Sequence, residues 1–166
     1  RRQNSSYGRN IITSLGKDCR NLGVSYNMQG FFQNALEQFE HVLSIDPHNI
    51  AAWSNGADTL ERWNKLEKLQ LWLDRAEKDL VKVPSELKLY KGKLLWRLGQ
   101  VESAYHQIKD TTTIGMPSAW VIDLYHLLGK CSESLGQIDE AFENTLSIST
   151  RPRNPVSLYP ALANIN

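Results

Sequence analysis

The stretch "NALEQFEHVLSIDPHNIAAW", residues 34–53, holds an amphipathic helix that runs into a proline, with a second helix starting directly behind it. Ala35, Leu36, Phe39, Val42 and Leu43 follow the i, i+1, i+4, i+7, i+8 spacing of one helix face. Pro47 cannot continue that helix, and Asn49 offers a side-chain oxygen to cap the next one. A single copy would be an ordinary helical hairpin, so its meaning depends on whether the pattern returns.

It does return. Gly23, Gly30 and Ala35 stand at offsets of 0, 7 and 12, and the same residues reappear as Gly92, Gly99 and Ala104, then as Gly129, Gly136 and Ala141. Gly56 supplies a further first glycine, while Trp63 and either Lys68 or Leu69 replace the later glycine and the alanine of that copy. From Gly23 to Gly56, Gly92 and Gly129 the steps are 33, 36 and 37 residues, a period typical of helical-pair repeats. The first glycine and the alanine are expected where two helices cross closely, and the second glycine where a left-handed residue ends the first helix. Pro47, Pro84, Pro117 and Pro155 punctuate the ends of the second helices, with Asn49, Ser85, Ser118 and Asn154 as expected N-caps. Helix pairs are therefore expected at 16–46, 50–82, 85–112 and 118–150. Residues 5–14 are read as a frayed helix or the remains of an earlier unit, and no stretch alternates with period two for long enough to form a strand.

Composition narrows the functional classes. With 166 residues, 41% hydrophobic and 22% charged, the chain can bury a core. No apolar run approaches the roughly 20 residues of a membrane helix, and "RRQNSSYGRN" has no apolar core of a signal peptide. The formal charge of +1 gives no global attraction for nucleic acid or an anionic membrane, so neither is an expected partner. Cys19 and Cys131 are too few for a disulfide framework or a paired zinc site; they are read as small core residues in a reducing, cytoplasmic setting. The chain begins with Arg rather than Met and is read as a piece of a longer protein.

Catalytic signatures are missing from the sequence. It contains no HExxH, GxGxxG, GxSxG or EF-hand loop, and "GRNIITSLGKD" does not satisfy the phosphate-loop spacing. His41, His48, His106 and His126 lack metal-ligand spacing, and Asn4-Ser5-Ser6 is a polar tail rather than a glycosylation site in this context. Neither a metal nor a cofactor is expected, and the chain is read as non-enzymatic. Trp53 and Trp120 are expected in the core, Trp63 and Trp72 as filling for the copy that lacks its small residues, and Trp96 as a partner contact.

The unit "LGKDCRNLGVSYNMQGFFQNALEQFEHVLSIDPHN" resembles a tetratricopeptide repeat through Leu22, Gly23, Tyr26, Gly30, Ala35, Phe39 and Pro47. "LYKGKLLWRLGQVESAYHQI" and "LYHLLGKCSESLGQIDEAFENTL" fit it less completely. The resemblance implies an all-α, right-handed solenoid of stacked antiparallel helix pairs. It divides the chain into a tail or remnant helix at 1–15, four units at 16–49, 50–84, 85–118 and 119–154, and the start of a further helix at 155–166. The family's usual work is holding a peptide or protein in a concave groove lined by first helices. By position the groove receives Lys17, Arg20, Val24, Asn27 and Met28, then Ala51, Ser54, Asp58, Glu61 and Arg62. The later units contribute Glu86, Leu89, Lys93, Trp96 and Arg97, then Asp123, His126, Lys130, Glu133 and Ser134.

The clamp that holds carboxylate tails in some family members is incomplete here. Arg20 and Asn55 fit it, but Val24 stands where an Asn is needed, and Glu86 and Tyr90 where cations are needed. The expected partner contacts are therefore Arg20, Asn27, Asn55, Lys93, Trp96, Arg97, His126 and Lys130. The partner is a protein, a peptide or another domain of the same longer chain, with self-association through the C-terminal helix as a further expectation. The competing expectation is the repeat region of a larger enzyme, because "NPVSLYPALANIN" is similar to the last helical unit before the catalytic domain of bacterial sulfotransferases.

Overall fold

The computed structural model describes residues 2–136, with side chains from Thr13 onward. Within them the chain is helical throughout: α1 (Arg2–Met28), α2 (Phe32–Ile45), α3 (Ile50–Arg62), α4 (Leu66–Asp79), α5 (Ser85–Arg97), α6 (Val101–Ile108) and α7 (Ser118–Ser134). Residues 5–14 belong to α1, which runs on unbroken through the first expected unit boundary. The expected second helix of a fourth unit, with Ala141, Asn154 and the expected helix at 155–166, lies outside the described residues. The chain is compact in two units, Arg1–Tyr90 and Lys91–Asn166, and the division falls inside α5.

In the first unit α1 pairs with α2, α2 packs on α3, and α3 pairs with α4. The stripe read from the sequence is the buried face of α2, with Ala35, Phe39, Val42 and Leu43 all in the core. The first glycine of each copy stands where the helices cross. A Cβ on Gly23 would lie 2.6 Å from the ring of Phe39, and one on Gly56 would collide with the ring of Trp72. In the second unit Gly92 meets Ile108 of α6 in the same way, and α6 packs on α7. Each partner follows its glycine by 16 residues, so one crossing geometry is built three times among the described residues.

First helices end alike. Gly30, Gly99 and Gly136 have φ of 82°, 77° and 75°. Behind Gly30 the amide of Phe31 donates to the Tyr26 carbonyl at 2.9 Å, and behind Gly99 that of Gln100 donates to Leu95 at 2.9 Å. This is the six-to-one bond that closes a helix C-terminus around a left-handed residue. In the second copy Asn64, not Trp63, takes that role, with φ 59°, and Lys65 donates to the Leu60 carbonyl at 3.0 Å. Leu69, not Lys68, fills the alanine position and is fully buried. Asn64 stands 8 residues after Gly56, whereas Gly30 stands 7 after Gly23, so α3 carries one extra residue.

Helix starts require a second correction. Asn49 caps α3 as expected, its side chain accepting from the Ala52 amide at 3.1 Å. Ser85 and Ser118, expected as caps, are instead the first residues of α5 and α7. The carbonyls of Pro84 and Pro117 accept the first helical amides, from Leu87 and Lys88 and from Trp120 and Val121. A proline that cannot donate an amide loses nothing just ahead of a helix, so it takes the flanking position itself.

Candidate functional site

First helices carry the positions nominated for partner contact, and the structure distributes them unevenly. In the first unit Asn27 is 5% exposed, and its Nδ2 donates to Asp58 Oδ2 of α3 at 2.8 Å. The other oxygen of Asp58 accepts from the Tyr90 hydroxyl of α5 at 3.1 Å, and Arg62 lies 4.0 Å from Oδ2. Asp58 thus ties three successive first helices together. In the second unit Lys93 makes the same kind of link, with Nζ 2.7 Å from Asp123 Oδ2 of α7. Asp58 accepts two hydrogen bonds and stays satisfied while half-buried, so this rung fixes helix spacing at little desolvation cost.

Asn27 and Lys93, nominated as ligand contacts, are therefore engaged in structural links. The remaining nominees stand around them. Arg20 and Asn55 are half-buried on α1 and α3, and the Asn55 carbonyl accepts from Thr59 Oγ1 at 2.8 Å. Trp96 is half-buried and Arg97 exposed in the last turn of α5, while His126 and Lys130 are exposed on α7. Two other positions that the repeat pattern assigned to the groove, Ser54 and Leu89, are buried instead. Repeat position assigns Asp58 and Asp123 to the groove without distinguishing them from their neighbours, and gives Tyr90 only as a missing cation. Their signal was complementary polar pairs one period apart: the three links span 31, 32 and 30 residues.

The tryptophans separate into core and surface. Trp53 is buried, with Nε1 donating to the Pro47 carbonyl at 2.8 Å, and Trp72 lies edge-on to it at 5.1 Å between ring centroids. Trp120, expected in the core, is only half-buried at the start of α7, where the first turn reaches the surface. Trp63 stacks on Phe32 at 6.1 Å. Cys131 is fully buried, and burial pushes its thiol pKa up to about 11, which suppresses the thiolate that nucleophilic chemistry needs. Cys19 is half-buried. Among the described residues no group of three or more His, Cys, Asp or Glu is placed to hold a metal ion, and no helix is long and apolar enough to cross a membrane.

No protein-family model matches the chain, and no curated protein matches it. Solved structures do. One is YrrB, a TPR protein with an unusual peptide-binding site, matched over 79% of this chain and 66% of that one at 14% identity and a TM-score of 0.60. Another is MamA, over 82% of this chain and 74% of that one at 18% identity and a TM-score of 0.63. MamA from Desulfovibrio magneticus RS-1, from residue 41 to its end, matches over 81% and 73% at 14% identity and a TM-score of 0.60. The chain spans 66% to 74% of the length of these structures. Together with the recurring glycine crossings and left-handed helix ends, this likeness shows the fold: the chain is built as a tetratricopeptide-type helical repeat.

Proposed function

We propose that the chain is a non-enzymatic, tetratricopeptide-type scaffold that binds a protein or peptide through its first-helix surfaces in a cytoplasmic setting. The observation that carries this reading is the set of links through Asp58, and through Lys93 to Asp123, which hold first helices at fixed spacing. A binding surface fixed before its ligand arrives loses less conformational freedom on association. The four-unit division at 16–49, 50–84, 85–118 and 119–154 is part of the same reading. Arg20 and Asn55 would serve the first unit, and Trp96, Arg97, His126 and Lys130 the second, with the half-buried Trp96 and exposed Arg97 as the residue types that most often anchor interfaces. That one of the similar structures is a protein with a peptide-binding site supports the reading by analogy of fold.

The test is an affinity capture from native lysate with the chain and its Trp96→Ala, Arg97→Ala double variant as parallel baits. A partner recovered by the first and lost by the second, at unchanged helix content, supports the surface assignment. Equal recovery by both baits sinks it.

A further inference from the structure

We propose that the second-helix side of the first unit is a separate docking surface, fitted to a basic segment of a partner protein. It does not depend on the first-helix reading, because it uses the opposite members of the helix pairs. Two open depressions, of about 610 and 210 Å³, lie between α2 and α4 and share Glu40 and Ser44, so they form one continuous trough. Gln33, Glu37 and Lys68 line its wider end, and Pro47, Arg75 and Asp79 its narrower end.

The charges of the trough do not balance. Helix α2 contains no Lys or Arg and turns Glu37 and Glu40 into it. Arg75 is already committed: its guanidinium lies 4.8 Å from the Trp53 ring and 4.9 Å from the Trp72 ring, and 2.7 Å from Glu40. Lys68 is drawn 5.1 Å over the Trp63 ring. Among the described residues Glu37 accepts only a neutral amide, from Gln33 at 3.2 Å. Asp79 has no hydrogen-bond or ion-pair partner among the described residues, and it stands beside Lys78 in the last turn of α4, where the helix end adds partial negative charge. The narrower end also receives the last turn of α2, which carries no basic residue.

Three carboxylates, Glu37, Glu40 and Asp79, and two helix C-termini thus share the lining with two cations, Lys68 and Arg75, and with His41. With His41 neutral, the lining carries one more negative than positive charge, although the whole chain is at +1. A lysine or arginine side chain entering the narrower end would place its charge between Asp79 and Glu40 and its apolar stem along Leu43 and Pro47. A second basic residue further along an extended segment would meet Glu37. The stacked Arg75 keeps Glu40 oriented, so the acceptor is fixed before the ligand arrives.

The experiment uses fluorescently labelled octapeptides of alternating lysine and alanine, and of alternating glutamate and alanine, read by anisotropy against the whole chain. The lysine peptide is expected to bind about tenfold tighter than the glutamate peptide and to weaken steeply as salt rises. An Asp79→Asn, Glu37→Gln variant should lose about tenfold for the lysine peptide. Glu40 is left in place in that variant so that Arg75 stays paired, and circular dichroism checks the fold. A Trp96→Ala, Arg97→Ala variant should bind unchanged, whatever becomes of the first-helix surface. The proposal is overturned if the glutamate peptide binds as well, if the trough variant binds unchanged, or if a control variant at Glu102 and Glu133 weakens binding equally, which would show diffuse attraction.

Discussion

The α1–α2 pair and the α3–α4 pair solve one packing problem with different residues. In the first, Gly23 faces Phe39, Gly30 turns the chain and Ala35 lets the axes approach. In the second, the stretch from the crossing glycine to the turn is one residue longer, Asn64 turns the chain, and the larger Leu69 fills the alanine position. The extra residue rotates α4 by one position relative to α2. Leu73 is then the counterpart of Phe39 when counted from the turn, yet Trp72 meets Gly56. A tryptophan suits that place because its ring is long enough to reach the glycine and its Nε1 donates to the Trp53 carbonyl at 2.9 Å. The comparison teaches that the repeat preserves backbone geometry, a left-handed turn and a small residue under a large one, while the identities supplying them change.

The strongest way to break the comparison is Trp72→Ala. Emptying the site under Gly56 is expected to cost about 3–5 kcal/mol in urea denaturation. A loss under about 1 kcal/mol would mean that α4 does not depend on this ring for its packing. Gly56→Ala comes next, at about 1–3 kcal/mol, because the new methyl meets a ring pinned by its own hydrogen bond. Gly23→Ala should cost less, since the Phe39 ring has no polar anchor and can tilt; equal losses would remove the distinction drawn between the two pairs. The smallest effect sharpens the turn. Asn64→Ala should cost about 1 kcal/mol for a left-handed alanine. Asn64→Gly should stay within about 0.5 kcal/mol of the parent chain, because glycine relieves the same angle and adds unfolded-state entropy. A stable Asn64→Ala variant would place the turn elsewhere.

The two kinds of candidate surface differ in how far they could be read in advance. Repeat position and side-chain type together nominate Arg20, Trp96, Arg97, His126 and Lys130, and the structure leaves them half-buried or exposed on first helices. Asn27 and Lys93 were nominated by the same rule and turn out to be bonded to Asp58 and Asp123. Position within a repeat fixes the direction a side chain takes, but its partner one period away depends on inter-helix distance. The α2–α4 trough was not legible at all. Its carboxylates come from different helices, and Arg75 and Lys68 become unavailable only because Trp53, Trp72 and Trp63 stand beside them.

The residues by themselves determined the all-α class, the repeat period, the helix pairing and the glycine turns at 30, 99 and 136, because these rest on local propensity and spacing within one or two helices. Tertiary structure decided what spacing leaves open. It selected Asn64 over Trp63 as the second turn, since only a register that buries Leu69 and seats Trp72 on Gly56 closes that pair. It also decided which polar groups tie helices together and which face outward, because a hydrogen bond across repeats forms only where two backbones have been brought within reach.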